Sequence, residues 1–306
     1  MFKSILVPLD GSPFAEHALP LAASIARHTG ATLRLLQVLP PLADRYFWAP
    51  TPGSQLEHDL RDHFRIKART YLEDISHRLK GGVPVICDLL DEHIDIAEAI
   101  ETEVAKAGID LVVMPSHGRG ALKRFWLGSI ADQVYRSATV PVLLARPQQE
   151  TVEFEHEPQI RHILVTLDGS AQAEDVLESV LTISLAMEAD LLLVRVIPPP
   201  LPHITAEKSV GTGTGGPIDD RLRQDPPRYL QAVAEMLRAR GGRVRTQLLA
   251  SNEPADAIVE ASAGADLIAM QTHARRGVSR LVHGSVVHKV VNNSVVPVLI
   301  SRPRNR

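Results

Sequence analysis

One cysteine in 306 residues, Cys87, excludes an intrachain disulfide and suits a reducing compartment. Its place in the apolar run 83–90 predicts a core residue on a strand. Neither sign of charge dominates: the formal net charge is −3, so nothing global attracts nucleic acid or an anionic membrane, and any anion site has to be local. Long apolar runs are missing too. The first breaks at Asp10-Gly11, too short for a signal-peptide core, and the longest, 181–197, is interrupted by Glu188, Asp190 and Arg195. Neither a leader nor a transmembrane helix is expected, and a cytoplasmic location is.

Several reactive-site signatures are also lacking. There is no CxxC, HExxH, Walker A lysine loop or GxSxG, and no pair of carboxylates is placed for acid–base work. The G-x-G-x-x-G formed by Gly211, Gly213 and Gly216 follows a polar coil and runs into Pro217, whereas a dinucleotide fingerprint follows a strand and opens a helix. His58, Asp62 and His63 have the spacing of a solvated helix face rather than of a metal site.

What is present is a repeat. DLVVMPSHGRGALKRFWLGSIADQVYRSATVPVLLAR (110–146) returns as DLIAMQTHARRGVSRLVHGSVVHKVVNNSVVPVLISR (266–302) at an offset of 156. KSILVPLDGS returns as RHILVTLDGS, with Asp168 lying 158 residues after Asp10. Duplication and length together indicate two domains, at 1–147 and 160–306, with the charged, proline-flanked stretch 148–159 as linker.

Each half reads as alternating strands and helices. In the first half, strand 5–7 and a helix ending at Gly30 precede strand 32–39, helix 57–80, strand 83–90, helix 94–106, strand 111–114, a helix from Ser129, and a final strand 140–145. The second half has strands at 162–167, 190–197, 243–249, 267–270 and 295–300, and helices at 171–188, 228–240, 255–263 and 285–293. Strands apolar on both faces and alternating with helices predict an α/β fold, a doubly wound parallel sheet in two tandem copies. The insertions 40–56 and 198–227 are expected to be loops.

In such a sheet ligands gather beyond the carboxyl ends of the strands, where the winding reverses. There Asp10 would face the loop 116–129. Gly128 allows close approach, Ser129 is a good N-cap, and the helix behind them offers N–H groups and a positive dipole end to a phosphate. Arg119, Lys123 and Arg124 add fixed positive charge. Asp10 suits a ribose hydroxyl or an adenine amino group, although an Asp before Gly-Ser is equally a turn former.

These residues resemble the universal stress protein family over nearly the whole chain. The family's nucleotide-binding members carry G-2x-G-9x-G-[ST] after the fourth strand of a five-stranded sheet ordered 3-2-1-4-5, a Rossmann-like fold of the adenine nucleotide alpha hydrolase type. Here the first half has Pro115, Gly118, Gly128 and Ser129 at those positions, and the second has Gln271, Ala274, Gly284 and Ser285. The resemblance implies binding of an adenine nucleotide, ATP or AMP with or without Mg²⁺. Asp10, Val38 on the adenine side, His117, Gly118, Arg119, Gly128, Ser129 and Ile130 would hold it. In the second half Asp168, Val196, Gly284 and Ser285 are carried over, and His273 stands where His117 does.

Where the motif has glycine, Pro115 lacks an N–H, which impairs the first site, and Ala274 adds a Cβ in the second, which keeps only the last glycine and should be the weaker. The implied function is that of a stress-response sensor or adaptor. A scaffold with both sites decayed and a weak ATP hydrolase or nucleotidyl transferase stay open, although the HxGH and SGGxDS signatures of the latter group are missing. Each final strand, 140–145 and 296–301, would be an apolar edge. Antiparallel pairing of the two within one chain is expected, as in the family's single-domain dimers, with further association of whole chains left open.

Overall fold

The structure, a computed structural model, describes residues 1–42, 51, 53–79, 82–91, 95–116, 128–147, 152, 154, 157–199, 223–272 and 285–302. Two units are present, Met1–Pro158 and Gln159–Arg306. In the first, β1 (Ser4–Leu9), β2 (Thr32–Leu39), β3 (Val85–Asp91), β4 (Leu111–Pro115) and β5 (Val142–Ala145) run parallel in the order β3-β2-β1-β4-β5. The second repeats this with β6 (His162–Thr166), β7 (Asp190–Ile197), β8 (Arg243–Ala250), β9 (Leu267–Gln271) and β10 (Val298–Ser301), ordered β8-β7-β6-β9-β10. Both sheets therefore reverse their winding between the first and fourth strands of the unit.

The first-unit helices are α1 (Leu19–Thr29), α2 (Gln55–Arg78), α3 (Ile96–Lys106) and α4 (Ser129–Ser137). Right-handed crossovers put α1 and α2 on one face of the sheet and α3 and α4 on the other, and the last two pack together. The second unit has α5 (Leu177–Met187), α6 (Pro226–Ala239), α7 (Pro254–Ala261) and α8 (Ser285–Asn293), with α7 packed on α8. Among the described residues no helix is long and apolar enough to cross a membrane.

Local chemistry sets the element ends. Ser54 caps α2, its Oγ accepting from Glu57 N at 3.2 Å while Glu57 Oε2 accepts from Gly53 N. The helix thus starts before residue 57, the expected position. Asp95 likewise caps α3 by accepting from Ala97 N at 2.9 Å, so that helix starts two residues after position 94. The final strands begin at Val142 and Val298 because Pro141 and Pro297, just before them, have no N–H. Their carbonyls still accept from Val112 and Ile268, both at 3.0 Å.

The repeated aspartates 110 and 266 are structural. Asp110 Oδ2 accepts from the N–H groups of Lys3 (2.6 Å) and Ser4 (3.1 Å), and Asp266 Oδ2 from those of Arg161 (2.7 Å) and His162 (2.9 Å). Each ties the start of the unit's fourth strand to the start of its first. Of the stretch expected as a linker, Glu157 forms an ion pair with Arg27 at 2.5 Å and Pro158 O accepts from Ser24 Oγ at 2.8 Å, both against α1.

Two expectations need correction. Cys87 is not a core residue: β3 is the edge strand of its unit, and the side chain is exposed. Its Sγ still approaches Leu72 O at 3.6 Å, and partial burial, with Asp88 and Glu73 nearby, pushes the thiol pKa up. Ser129 is not the N-cap of α4 but its first helical residue. Gly128 is the cap, with extended dihedrals (φ −58°, ψ 142°) and no side chain to accept from the first turn.

Candidate functional site

LDGS folds the same way in both units. Asp10 Oδ1 accepts from Ser12 N at 2.8 Å, Gly11 takes φ +78°, and Ser12 Oγ accepts from Ala15 N at 3.2 Å, starting a 3₁₀ turn that runs into α1. In the second unit Asp168 Oδ1 accepts from both N and Oγ of Ser170, at 2.8 and 2.7 Å, and Gly169 takes φ +88°. The turn-forming role of the aspartate is therefore real. It uses Oδ1 and leaves the carboxylate standing at the carboxyl end of the first strand.

Beside that turn the first unit has a cleft of about 230 Å³. Pro8, Leu9 and Asp10 from β1, Leu36 and Val38 from β2, Ile96 and Ile100 from α3, and Met114 and Pro115 from β4 line it, with Gly128 to Ala131 closing one side. This is the switch point. β1 and β4 are paired at Ile5–Leu111 and Leu6–Val112, and beyond those residues the two strands part. Val112 and Ser116 donate their N–H groups toward β5, so by strand alternation the nitrogen of Pro115 lies on the parted β1 side, where the ladder needs no donor. The structure thus accommodates Pro115 without loss of a sheet hydrogen bond.

The cleft joins an apolar slot to a helix end. Gly128 N donates to Ser116 O at 3.2 Å and Asp132 N to Gly128 O at 2.8 Å, so the first intrahelical acceptor serves Asp132. The N–H groups of Ser129, Ile130 and Ala131 have no intrahelical acceptor. Five expected residues, Asp10, Val38, Gly128, Ser129 and Ile130, are brought to this one cleft. His117, Gly118, Arg119, Lys123, Arg124, His273, Ala274 and Gly284 lie outside the described residues, as do the glycines 211, 213 and 216 and most of both insertions.

The second unit departs from this arrangement. Asp168 and Val196 occupy the matching strand ends, and Ser285 begins α8. The counterpart of Gln37, however, is Arg195, 158 residues later. It lies on the sheet face opposite Val196, and a Cβ on Gly169 would fall 2.6 Å from its Cζ. Its NH1 donates to Arg223 O at 2.8 Å, and its Cζ lies 5.4 Å from the centroid of the Tyr229 ring. Burial pulls the guanidinium pKa down, while Tyr229 and Asp168 favour its charged form.

Around Arg195 the repeat shows a polar set not singled out in the sequence analysis. Glu16 and Tyr71 recur 158 residues on as Glu174 and Tyr229. Tyr71 OH donates to Glu16 at 3.4 Å and Arg78 pairs with Glu16 at 3.0 Å; Arg223 pairs with Glu174 at 3.0 Å. Burial first, then the neighbouring carboxylates, pushes both phenols far up. The shared offset was the signal that could have found them.

Gln271, the counterpart of Pro115, is buried at 5% exposure, and neither amide atom has a partner among the described residues. The second unit therefore faces its site with a compensated aspartate and a buried amide. The first has an aspartate beside neutral Gln37.

A model described as the universal stress protein family matches residues 1–146 and 159–302. A universal stress protein of Mycolicibacterium smegmatis is 23% identical over 317 residues, covering 98% of this chain and 97% of its own. One of Thermus aquaticus is 33% identical over 146 residues, covering 48% of this chain and all of its own. Among solved structures, a universal stress protein of Archaeoglobus fulgidus covers 99% of this chain and 98% of its own at a TM-score of 0.70 and 20% identity, a likeness of fold.

Proposed function

The chain belongs to the universal stress protein family, and from that premise we propose that its first unit binds an adenine nucleotide, ATP or AMP, as the input of a stress-response sensor or adaptor. The observation that carries this reading is the cleft at the first-unit switch point. Its apolar side, Leu36, Val38, Ile96 and Ile100, suits an adenine ring. Asp10 suits a ribose hydroxyl or the adenine amino group, and the N–H groups of Ser129, Ile130 and Ala131 with the α4 dipole suit a phosphate. Asp10 is the one carboxylate among the described lining residues, and one of its oxygens already serves the turn. That favours binding over turnover, which needs a positioned base and carboxylates for Mg²⁺.

The second unit is the weaker binder in this reading. Arg195 offsets the charge of Asp168, and Gln271 replaces the residue that follows the fourth strand's apolar run. Titration calorimetry with ATP and with AMP should show one event per chain. Native mass spectrometry of the purified protein should find bound nucleotide. Gly128→Val places two methyl groups at the mouth of the helix end, yet its dihedrals (φ −58°, ψ 142°) are ones valine adopts readily, so the variant should fold and lose the event. Absence of heat, of bound nucleotide and of a thermal shift would leave the scaffold reading in its place.

A further inference from the structure

We propose that the second unit holds a separate binding site, at the end of its sheet away from the LDGS turn, for a small carboxylic acid with an apolar ring or short chain. The two copies of the repeat differ there. In the first unit Arg34 of β2 pairs with Glu103 of α3 and with Asp88 of β3, each at 3.0 Å, and Glu103 is buried. α3 and α7 start 158 residues apart, at Ile96 and Pro254, and at that offset Arg34 becomes Leu192 and Glu103 becomes Ala261. α3 also continues past Glu103 to Lys106, whereas α7 stops at Ala261. The second unit thus loses both long side chains and the helical residues behind them.

In their place is a cleft of about 190 Å³. Strand pairing sets His162 beside Asp190, Leu164 beside Leu192 and Leu192 beside Arg245, and alternation puts all five side chains on one face of the sheet, the face covered by α7. Leu164 and Leu192 make an apolar floor, with Ala261 and Ala265 across from them. Leu192 is only half-buried there. The polar groups stand at the mouth, where Asp190 opens β7 and Arg245 lies on the edge strand β8. The volume falls below the roughly 300–1,000 Å³ of pockets for drug-sized ligands, so it suits a single ring or a short chain.

Charge selects an acid. The carboxylate of Asp190 is held by Arg243 Nε at 2.6 Å, and Arg245 NH2 reaches it only at 3.7 Å, too far for a strong hydrogen bond. One carboxylate therefore faces two guanidiniums, and the side chain of Arg245 is 79% exposed. Its planar fork suits a ligand carboxylate whose apolar body lies on the two leucines. Nearby acceptors are already engaged. Asp266 accepts from the N–H groups of Arg161 and His162, and at the end of α7 the carbonyls of Ile258, Val259, Glu260 and Ser262 accept from Ser262, Ala263 and Ala265. The inference does not depend on nucleotide binding.

Benzoate is the probe, titrated into the full chain and followed by backbone amide chemical shifts. Saturable shifts are expected at Leu164, Leu192 and Gly264, with benzyl alcohol binding more weakly and benzylamine not at all. Arg245→Gln, at an exposed site where folding is not at stake, should weaken benzoate by about tenfold or more, the loss of a charge-assisted hydrogen bond, and should leave benzyl alcohol unaffected. Leu192→Arg combined with Ala261→Glu rebuilds the first unit's ion pair in the second and should abolish binding; if that variant does not fold, Arg245→Gln decides. Absence of saturable shifts at the three residues, shifts confined to the first unit, benzylamine binding as well as benzoate, or benzoate binding undiminished in Arg245→Gln would overturn the proposal.

Discussion

Gly11 and Gly169 are the same residue of the repeat, and replacing each with alanine should expose what Arg195 does. Both sit at positive φ, +78° and +88°, where alanine costs roughly 1–2 kcal/mol. For Gly11 the added Cβ would lie 3.3 Å from Gln37 Nε2, a contact relieved by a few tenths of an ångström. For Gly169 it would lie 2.6 to 2.7 Å from the guanidinium of Arg195. That group must retreat by about 1 Å, which breaks its hydrogen bond to Arg223 O, worth about 1.5–3 kcal/mol for a charged donor. Gly11→Ala should therefore cost about 1–2 kcal/mol and Gly169→Ala about 2.5–5 kcal/mol.

The control is built into the repeat. In an Arg195→Gln background, which copies the first unit, the extra cost of Gly169→Ala should largely vanish, a coupling of 1.5–3 kcal/mol in the double-mutant cycle. Native-state hydrogen exchange read separately on β1 with α1 and on β6 with α5 gives the opening free energy of each unit. Equal losses for the two glycines, or additivity of Gly169→Ala and Arg195→Gln, would refute the view that the guanidinium is pinned against the turn.

Other consequences can be measured on the same material. Glu188 holds φ +55° at the end of α5, where its counterpart Gly30 holds +73° at the end of α1; Glu188→Gly should stabilise the second unit by about 0.5–1 kcal/mol in urea unfolding, and Gly30→Glu should destabilise the first. Asp110→Ala and Asp266→Ala should each cost about 1–2 kcal/mol, confined by hydrogen exchange to the unit that loses its clamp. Of the four tyrosines, Tyr71, Tyr135 and Tyr229 should ionise late in an ultraviolet alkaline titration, Tyr135 at about 12, because burial disfavours the phenolate. A raised folded pKa means that their contribution to stability is whole below about pH 10 and is lost as pH climbs toward 12, so unfolding should become easier across that window.

Duplication made much of this protein legible in one dimension. Two copies of each apolar run separate strands from chance hydrophobic stretches, and two copies of LDGS mark a turn whose hydrogen bonds join residues two or three apart, a range that sequence resolves well. Asp10, Val38, Gly128, Ser129 and Ile130 could be named because they sit at strand ends and at a helix start, places that the order of elements determines. Exposure depends instead on which strand is outermost, so Cys87 read as a core residue and proved to stand on an edge. Gly128 rather than Ser129 took the cap because the backbone path, not side-chain propensity, decided where the helix began. Glu16, Tyr71 and Gln37 come from three separate elements, and only packing shows that Gln37 lies beside Gly11, and that in the second unit an arginine closes on the same turn. The length of α2 was visible in the chain. Which of its residues become core, Ala68, Leu72 and Ile75, is a matter of where the helix meets the sheet, and tertiary structure alone decides that.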